Sequence, residues 1–162
     1  MSLHEPGRGR YAHPERERPF LLSSPPIGLS QQRHIVDRYI ERTRLRLRLV
    51  ASEGRVVLKL GQKVRLDEDD PSQVMLTNMY PSSGDHACLL HLPATEVRKT
   101  RYNLAAGQNH CGVDVFEDRA DGLVLAEVEL SDSTEHELPE LLNLVIEVTT
   151  DDHFSGGALA HR

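Results

Sequence analysis

Charged side chains recur in this chain at a spacing of two residues. In a β-strand, residues two apart point to the same face of the sheet. The intervening positions are mostly apolar, as in the runs 43–49 and 125–130, so these strands have one charged face and one apolar face. The sets that follow this pattern are Glu15/Glu17, Arg44/Arg46/Arg48, Lys99/Arg101 and Glu127/Glu129.

The charged faces predict a particular chemistry. If the apolar faces pack outward, the charged faces must line a shared interior. Carboxylates are the ligands that a hard dication prefers, and arginine forks and lysine ammonium groups suit phosphoryl oxygens. The pattern therefore predicts a metal-dependent phosphate site inside the molecule.

The composition excludes some classes of protein. With 162 residues the chain suits one domain, and its net charge of −6 argues against a protein that coats nucleic acid. The three lysines, against sixteen arginines, all fall in strand-like segments. No apolar run approaches the ~18 residues of a membrane span. Because the two cysteines form no CxxC pair, we expect reduced thiols and a cytoplasmic protein.

Alternating polarity and turn residues predict a mainly β protein of the α+β class. Residues 1–14 are polar and rich in Gly, Pro and Arg, which predicts a disordered tail before a single domain over 15–160. Ser82 can cap a helix over 86–92, and a second helix can begin near Ser131. A closed antiparallel barrel of about eight strands forming a tunnel fits best, because closure removes sheet edges. The predicted strands are 15–22, 32–40, 43–50, 55–64, 74–80, 96–104, 111–116, 123–130 and 144–150.

Seven segments, in register along residues 15–159, resemble the motifs of the CYTH superfamily, the triphosphate tunnel metalloenzymes. Residues 15–22 resemble its ExExK signature, and 35–40 its IxQxYL stretch with Tyr39 on the tyrosine. Residues 44–48 resemble xRxR, and 99–102 resemble KxRY. The remaining segments are 113–116, 122–129 and 147–151, which resemble VDxF, GLxxAExE and EVTxD.

The resemblance implies a barrel whose tunnel holds Mg²⁺ or Mn²⁺ and a small triphosphate or polyphosphate, with no nucleic acid and no membrane as partner. Tyr39 is expected to assist catalysis. Lys59 and Lys63 share one strand face, and either can face the ligand. The implied metal ligands are Glu15, Glu17, Glu127, Glu129, Asp114 and Glu147. The implied substrate-binding residues are Arg44, Arg46, Arg48, Lys59, Lys63, Lys99 and Arg101.

The chain also departs from the family pattern. Pro19 stands where the signature has its lysine, which in some members is linked to activating the attacking water. Proline cannot donate to a strand ladder, so we expect pairing to end or distort there. The stretch 74–80 carries none of the acids that many members have on their central strand. Gly112 replaces another acid, and His153 stands where an arginine is usual.

Two functions from different classes follow. The first is metal-dependent hydrolysis of an inorganic or organic triphosphate. The second is a degenerate tunnel protein that binds triphosphate or polyphosphate without turnover. Taken alone, each motif has a plainer interpretation, because paired acids often mark a solvated sheet face and the arginine run can mark a surface for nucleic acid or an acidic partner.

Overall fold

The computed structural model describes residues 5–106, 109–130 and 146–161. Its helices are α1 (Ser83–Leu89) and α2 (Gly156–Ala160), with 3-10 turns at Asp118–Ala120 and Asp152–Phe154. The strands are β1 (His13–Leu22), β2 (Ser30–Ile40), β3 (Leu45–Ser52), β4 (Arg55–Val64), β5 (Gln73–Met79), β6 (Ala94–Ala106), β7 (Asn109–Phe116), β8 (Val124–Glu129) and β9 (Ile146–Glu147).

The strands close into a barrel. Hydrogen-bonded neighbours follow the order β5-β4-β3-β2-β6-β7-β8-β1, and β1 pairs with β5 to complete an antiparallel ring of eight. The short β9 adds to β1 outside this ring. The predicted fold class, a closed antiparallel barrel of about eight strands, is therefore confirmed. The predicted second helix and the start of the last strand lie outside the described residues.

Strand β1 changes partner on one of its edges, and Pro19 lies at the change. Residues 13–16 pair with β5, and residues 20–21 pair with β9. The pairing with β8 runs without a break over 17–22, with Pro19 opposite Glu127. The backbone N–H of Leu130 donates to Arg16 O at 2.9 Å, so in the alternating antiparallel pattern the Pro19 nitrogen points away from β8. The expected break in strand pairing at Pro19 is thus confined to the edge of β1 that faces β5 and β9.

Two apolar clusters pack against the barrel wall, one on its outer face and one inside the barrel. Phe20, Val113 and Val128 belong to a buried cluster on the outer face of β1, β7 and β8. The second cluster lies inside one end of the barrel, where Val97 and Leu125 pack with residues of the C-terminal segment, including α2. The interior is therefore apolar at this end, and the charged positions lie farther along the same strands.

The first helix and the N-terminal segment differ in part from the sequence predictions. A capping box joins Ser82 and Asp85 at the start of α1, as the predicted cap requires. The helix ends at Leu89, and the following Leu90 and Leu92 are exposed. The predicted boundary at residue 14 falls inside β1, which begins at His13. Among the described residues, no helix has the length and apolar character to cross a membrane.

Gly156 and Gly157 give a stability prediction. A Cβ at Gly156 would overlap the Tyr39 hydroxyl and lie 2.9 Å from its Cζ, whereas a Cβ at Gly157 would lie 3.9 Å from Tyr39 Cδ1. Overpacking of this kind costs about 1–3 kcal/mol. We therefore expect Gly156→Ala to lower the free energy of unfolding in urea by that amount and Gly157→Ala to change it much less. Equal stabilities of the two variants would contradict this packing.

Candidate functional site

A cavity of about 790 Å³ occupies the barrel interior. Its volume lies within the range of ligand-binding clefts. The charged residues in its lining have an excess of cations, although the whole chain carries −6. The cationic lining residues are Arg44, Arg46, Arg48, Lys59, Lys63, Arg65, Lys99 and Arg101, and the anionic ones are Glu15, Glu17, Glu127, Glu129, Asp151 and Asp152.

The four paired glutamates form one acidic wall on β1 and β8. These strands are neighbours, and Glu17 stands directly opposite Glu129. Glu15 and Glu127 line the same cavity, as the alternation of the strands predicts. Burial raises the pKa of Glu17, and the nearby carboxylates of Glu127 and Glu15 raise it further. Carboxylates packed this closely repel one another, which favours cations between them.

Lys63 supplies one such cation from β4. Its Nζ lies 2.8 Å from Glu15 Oε2 and 3.2 Å from Glu17 Oε2. Lys59, four residues earlier, faces the same cavity. Both lysines therefore line the cavity, and Lys63 is the one in contact with the acidic wall.

Asp114 is fully buried between two cations of β6. Its carboxylate accepts hydrogen bonds from Lys99 Nζ at 2.5 Å and from Arg101 Nε and Nη2 at 2.6 and 2.7 Å. The same Nη2 also donates to Glu127 Oε2. Burial raises the pKa of Glu127, but the charges of Arg101 and Lys99 outweigh this and leave it lowered. Asp114 therefore holds Lys99 and Arg101 in place, with both of its oxygens engaged.

Asp37 holds the arginines of β3 in place as Asp114 holds the cations of β6. The sequence analysis did not identify Asp37 as a site residue. This side chain is 1% exposed and accepts two hydrogen bonds from Arg48, at 2.6 and 2.7 Å. Arg46 Nε lies 3.6 Å away. Burial raises the pKa of Asp37, but the hydrogen bonds and charge of Arg48, with Arg46, bring it down to about 2. Asp37 stands opposite Arg48 on the neighbouring strand. The one signal in the sequence was an acid at the glutamine position of the IxQxYL motif.

Lys59 faces the cavity from β4, opposite Arg48 of β3. Among the described residues it has no acidic ion-pair partner, and its Nζ lies 5.8 Å from the ring centre of Tyr80. Burial lowers the pKa of Lys59, and the positive charges of Arg48 and Arg46 lower it further. This end of the cavity therefore has a positive potential that an anion would relieve.

Tyr39 and Arg44 lie on either side of the turn between β2 and β3. Burial and the Asp37 carboxylate raise the pKa of Tyr39, so its phenol stays protonated at neutral pH. It can hold or orient a ligand, but it is a poor general base. Arg44 is exposed, just before β3 begins, and lies at the edge of the cavity.

Glu147 is not brought into this site. It lies on β9 opposite Phe20, and its carboxylate accepts hydrogen bonds from Arg18 and Thr149, at 2.8 Å from Arg18 Nε. It is absent from the cavity lining. Glu147 lies outside the cavity because it pairs with Phe20. On β1 the side chains of Arg18 and Phe20 point outward, whereas those of Glu17 and Pro19 point inward. Glu147 is therefore not part of the acidic wall.

The donor set on the acidic wall fits a hard dication, although it is not assembled as a metal site. In the described part of the chain, no three Asp, Glu, His or Cys side chains converge closely enough to hold a metal ion. Lys63 and Arg101 stand among the carboxylates instead. Four carboxylates on two adjacent strands are chemically suited to Mg²⁺ or Mn²⁺ once Lys63 moves away.

A second cavity of about 590 Å³ meets the first. Both are lined by Glu17, Arg101, Glu127 and Glu129. The second cavity continues past Arg33, towards the end of the barrel where β2 begins. The charged interior therefore extends along the barrel, with the Arg101–Glu127 contact between the two parts.

Comparison with known proteins shows what this chain is similar to. No known family profile and no curated protein sequence matches it. Among solved structures, the inorganic triphosphatase NE1496 is 22% identical, covers 91% of this chain and 95% of its own, and has a TM-score of 0.55. The PH1819 protein of Pyrococcus horikoshii is 17% identical, covers 80% and 84%, and has a TM-score of 0.53. At these identities the likeness shows a shared fold.

The Asp37–Arg48 pair gives a testable pH dependence. A carboxyl whose pKa falls from 3.8 to about 2 on folding stabilises the protein above pH 4, and this stabilisation is lost as the pH drops towards 2. In Asp37→Asn, Arg48 stays buried without its anion, which costs about 3–5 kcal/mol at pH 7. Urea unfolding at several pH values measures both effects. The exposed Asp69→Asn is the control, and equal losses in the two variants would contradict the role of Asp37.

Proposed function

We propose that this protein hydrolyses a small triphosphate, with Mg²⁺ or Mn²⁺, inside the barrel. The single observation that carries the proposal is the cluster of Arg46, Arg48 and Lys59 in one cavity wall. Asp37 is the one described carboxylate that pairs with them, and Lys59 has no acidic partner in the described part of the chain. A polyanion is the ligand that such a wall favours. The fold shared with the inorganic triphosphatase NE1496 supports the same substrate class.

The two walls divide the work on the substrate. Arg46 and Arg48, fixed by Asp37, present their guanidinium groups to phosphoryl oxygens, and Lys59 adds a mobile point charge. Lys99 and Arg101, fixed by Asp114, extend this row of cations towards the acidic wall. Together they hold the triphosphate along the barrel and offset its charge, which orients the terminal phosphoryl group for in-line attack by water.

The acidic wall would hold the dication through Glu15, Glu17, Glu127 and Glu129. When bound, such an ion neutralises phosphoryl oxygens and lowers the pKa of a water molecule. In the described part of the chain, neither of the two expected positions supplies a general base, because Pro19 carries no proton-transferring group and Tyr39 stays protonated. Absence of one positioned acid–base group commonly costs a factor of about 10²–10⁴ in rate. We therefore propose slow, metal-dependent turnover.

A second function, binding without turnover, is favoured by one specific observation. Three carboxylates of the acidic wall, those of Glu15, Glu17 and Glu127, are already engaged by Lys63 and Arg101. A protein that binds triphosphate or polyphosphate and releases no phosphate would fit this arrangement. Measuring phosphate release beside binding separates the two functions.

Metal dependence is the first test of hydrolysis. We expect purified protein to release phosphate from inorganic triphosphate with Mg²⁺ or Mn²⁺, to stop with excess chelator, and to resume when the metal is restored. Glu129→Gln protein, purified in the same way, is the control, because a contaminating phosphatase would keep its activity in that preparation. Turnover that continues in excess chelator would contradict the metal-dependent mechanism.

Lys59 gives a test of the phosphate wall. Loss of one charge-assisted contact costs about 1.5–3 kcal/mol, so we expect Lys59→Gln to weaken triphosphate binding roughly tenfold to a hundredfold. Isothermal titration with a non-hydrolysable triphosphate measures this directly. Arg55→Gln is the matched control, because Arg55 is an exposed cation at the start of the same strand and outside the cavity lining. Equal losses in both variants would place the ligand elsewhere.

A further inference from the structure

Lys63 bridges two strands that are not neighbours in the barrel. It lies on β4, whereas Glu15 and Glu17 lie on β1, and β5 runs between them. The residues of β5 opposite Lys63 and Glu15 are Leu76 and Val74, which line the cavity. Adjacent strands lie about 5 Å apart. The lysine and glutamate side chains therefore together span two inter-strand spacings across an apolar wall.

The Lys63 ammonium group occupies the position between two carboxylates of the acidic wall. It lies 2.8 Å from Glu15 and 3.2 Å from Glu17, and the three side chains are 24–34% exposed, so cavity water and ions can reach them. Because water screens such partly exposed ion pairs, their attraction is weaker than that of a fully buried pair. A dication, with twice the charge, can therefore take these carboxylates from the ammonium group.

We propose that Lys63 is a built-in counter-cation of the Glu15–Glu17 pair, that it yields these carboxylates to a divalent metal ion, and that its released ammonium group then binds the triphosphate. The inference rests on the function proposed above and assigns a role to a residue beside the metal site. Without the metal, Lys63 keeps two like charges together. When the metal binds, Lys63 loses its contacts with Glu15 and Glu17. An incoming polyanion then gives its ammonium group a new anionic partner.

The surroundings of Lys63 agree with this exchange. Burial lowers its pKa, but the charges of Glu17, Glu15 and Glu127 outweigh burial and leave it raised, so the ammonium group stays charged at neutral pH. The other cation facing these carboxylates, Arg101, is fixed by its two hydrogen bonds to Asp114. Lys63 is bound to no buried acid in the described part of the chain, so it is the cation free to move. Metal and triphosphate should then favour each other's binding.

Binding of Mn²⁺ alone tests the first half of the exchange. Free Mn²⁺ is counted by electron paramagnetic resonance with wild-type protein, Lys63→Met and Lys59→Met. Because the metal no longer competes with an ammonium group, we expect Lys63→Met to bind Mn²⁺ about tenfold tighter. Lys59 lies about 13 Å from Lys63 along the same strand face and forms no ion pair with these carboxylates in the described part of the chain, so its variant should change affinity less. Unchanged affinity in Lys63→Met, or an equal gain in both variants, would overturn the proposal.

A second measurement needs no variant to fold. The chain has three lysines, so protein grown with ¹³Cε-lysine gives three lysine signals. We expect Mg²⁺ alone to shift the Lys63 signal and leave that of Lys59 in place, and added non-hydrolysable triphosphate to shift both. Phosphate release with an unmoved Lys63 signal would overturn this inference and leave the proposed function standing. Displacement of Lys63 without any phosphate release would overturn hydrolysis and leave this inference standing.

Discussion

Charges inside a closed barrel must be paired, and this constraint governs the interior of the molecule. An uncompensated ion in a low-dielectric interior costs several kcal/mol, yet the cavity lining contains cations from β3, β4 and β6. Two buried acids, one on β2 and one on β7, compensate much of this charge. Asp37 neutralises the arginines of β3, and Asp114 neutralises Lys99 and Arg101. The phosphate-binding wall that we propose exists because these acids hold it in place.

The same constraint explains why the acidic wall is occupied by the protein's own cations. Glu15, Glu17 and Glu127 lie close together on adjacent strands, and their mutual repulsion favours any nearby cation. Lys63 and Arg101 fill that role in the structure described here. A cavity whose carboxylates already hold cations needs little rearrangement to accept a metal ion and a polyanion together. Binding then exchanges one set of ion pairs for another.

Much of this could be predicted from the sequence, because strand alternation has a period of two. The spacing of Glu15/Glu17 and Glu127/Glu129 fixed their common face, and the structure has all four in the cavity lining. Turn residues and alternation also gave strand boundaries within a few residues of β2, β4 and β7. Closure of the barrel followed from the need to remove sheet edges.

The remaining features depend on which residues meet across strands, and a single sequence does not give that register. Asp37 looked like one more polar residue until its position opposite Arg48 was known. Glu147 shares a motif with Asp151, which lines the cavity. However, β9 places Glu147 opposite Phe20, whose side chain is on the outer face of β1. The partner of Lys63 was equally hidden, because it lies two strands away. Local patterns give the face of a side chain, and cross-strand register gives its partner.

The central claim is that the charged interior binds a triphosphate together with a divalent ion. Anomalous diffraction from crystals grown with Mn²⁺ and a non-hydrolysable triphosphate tests it most directly. We predict a manganese peak beside Glu15, Glu17 and Glu127, with the phosphates against Arg46, Arg48 and Lys59. Phosphate density outside the barrel, or a manganese peak far from the acidic wall, would contradict the account.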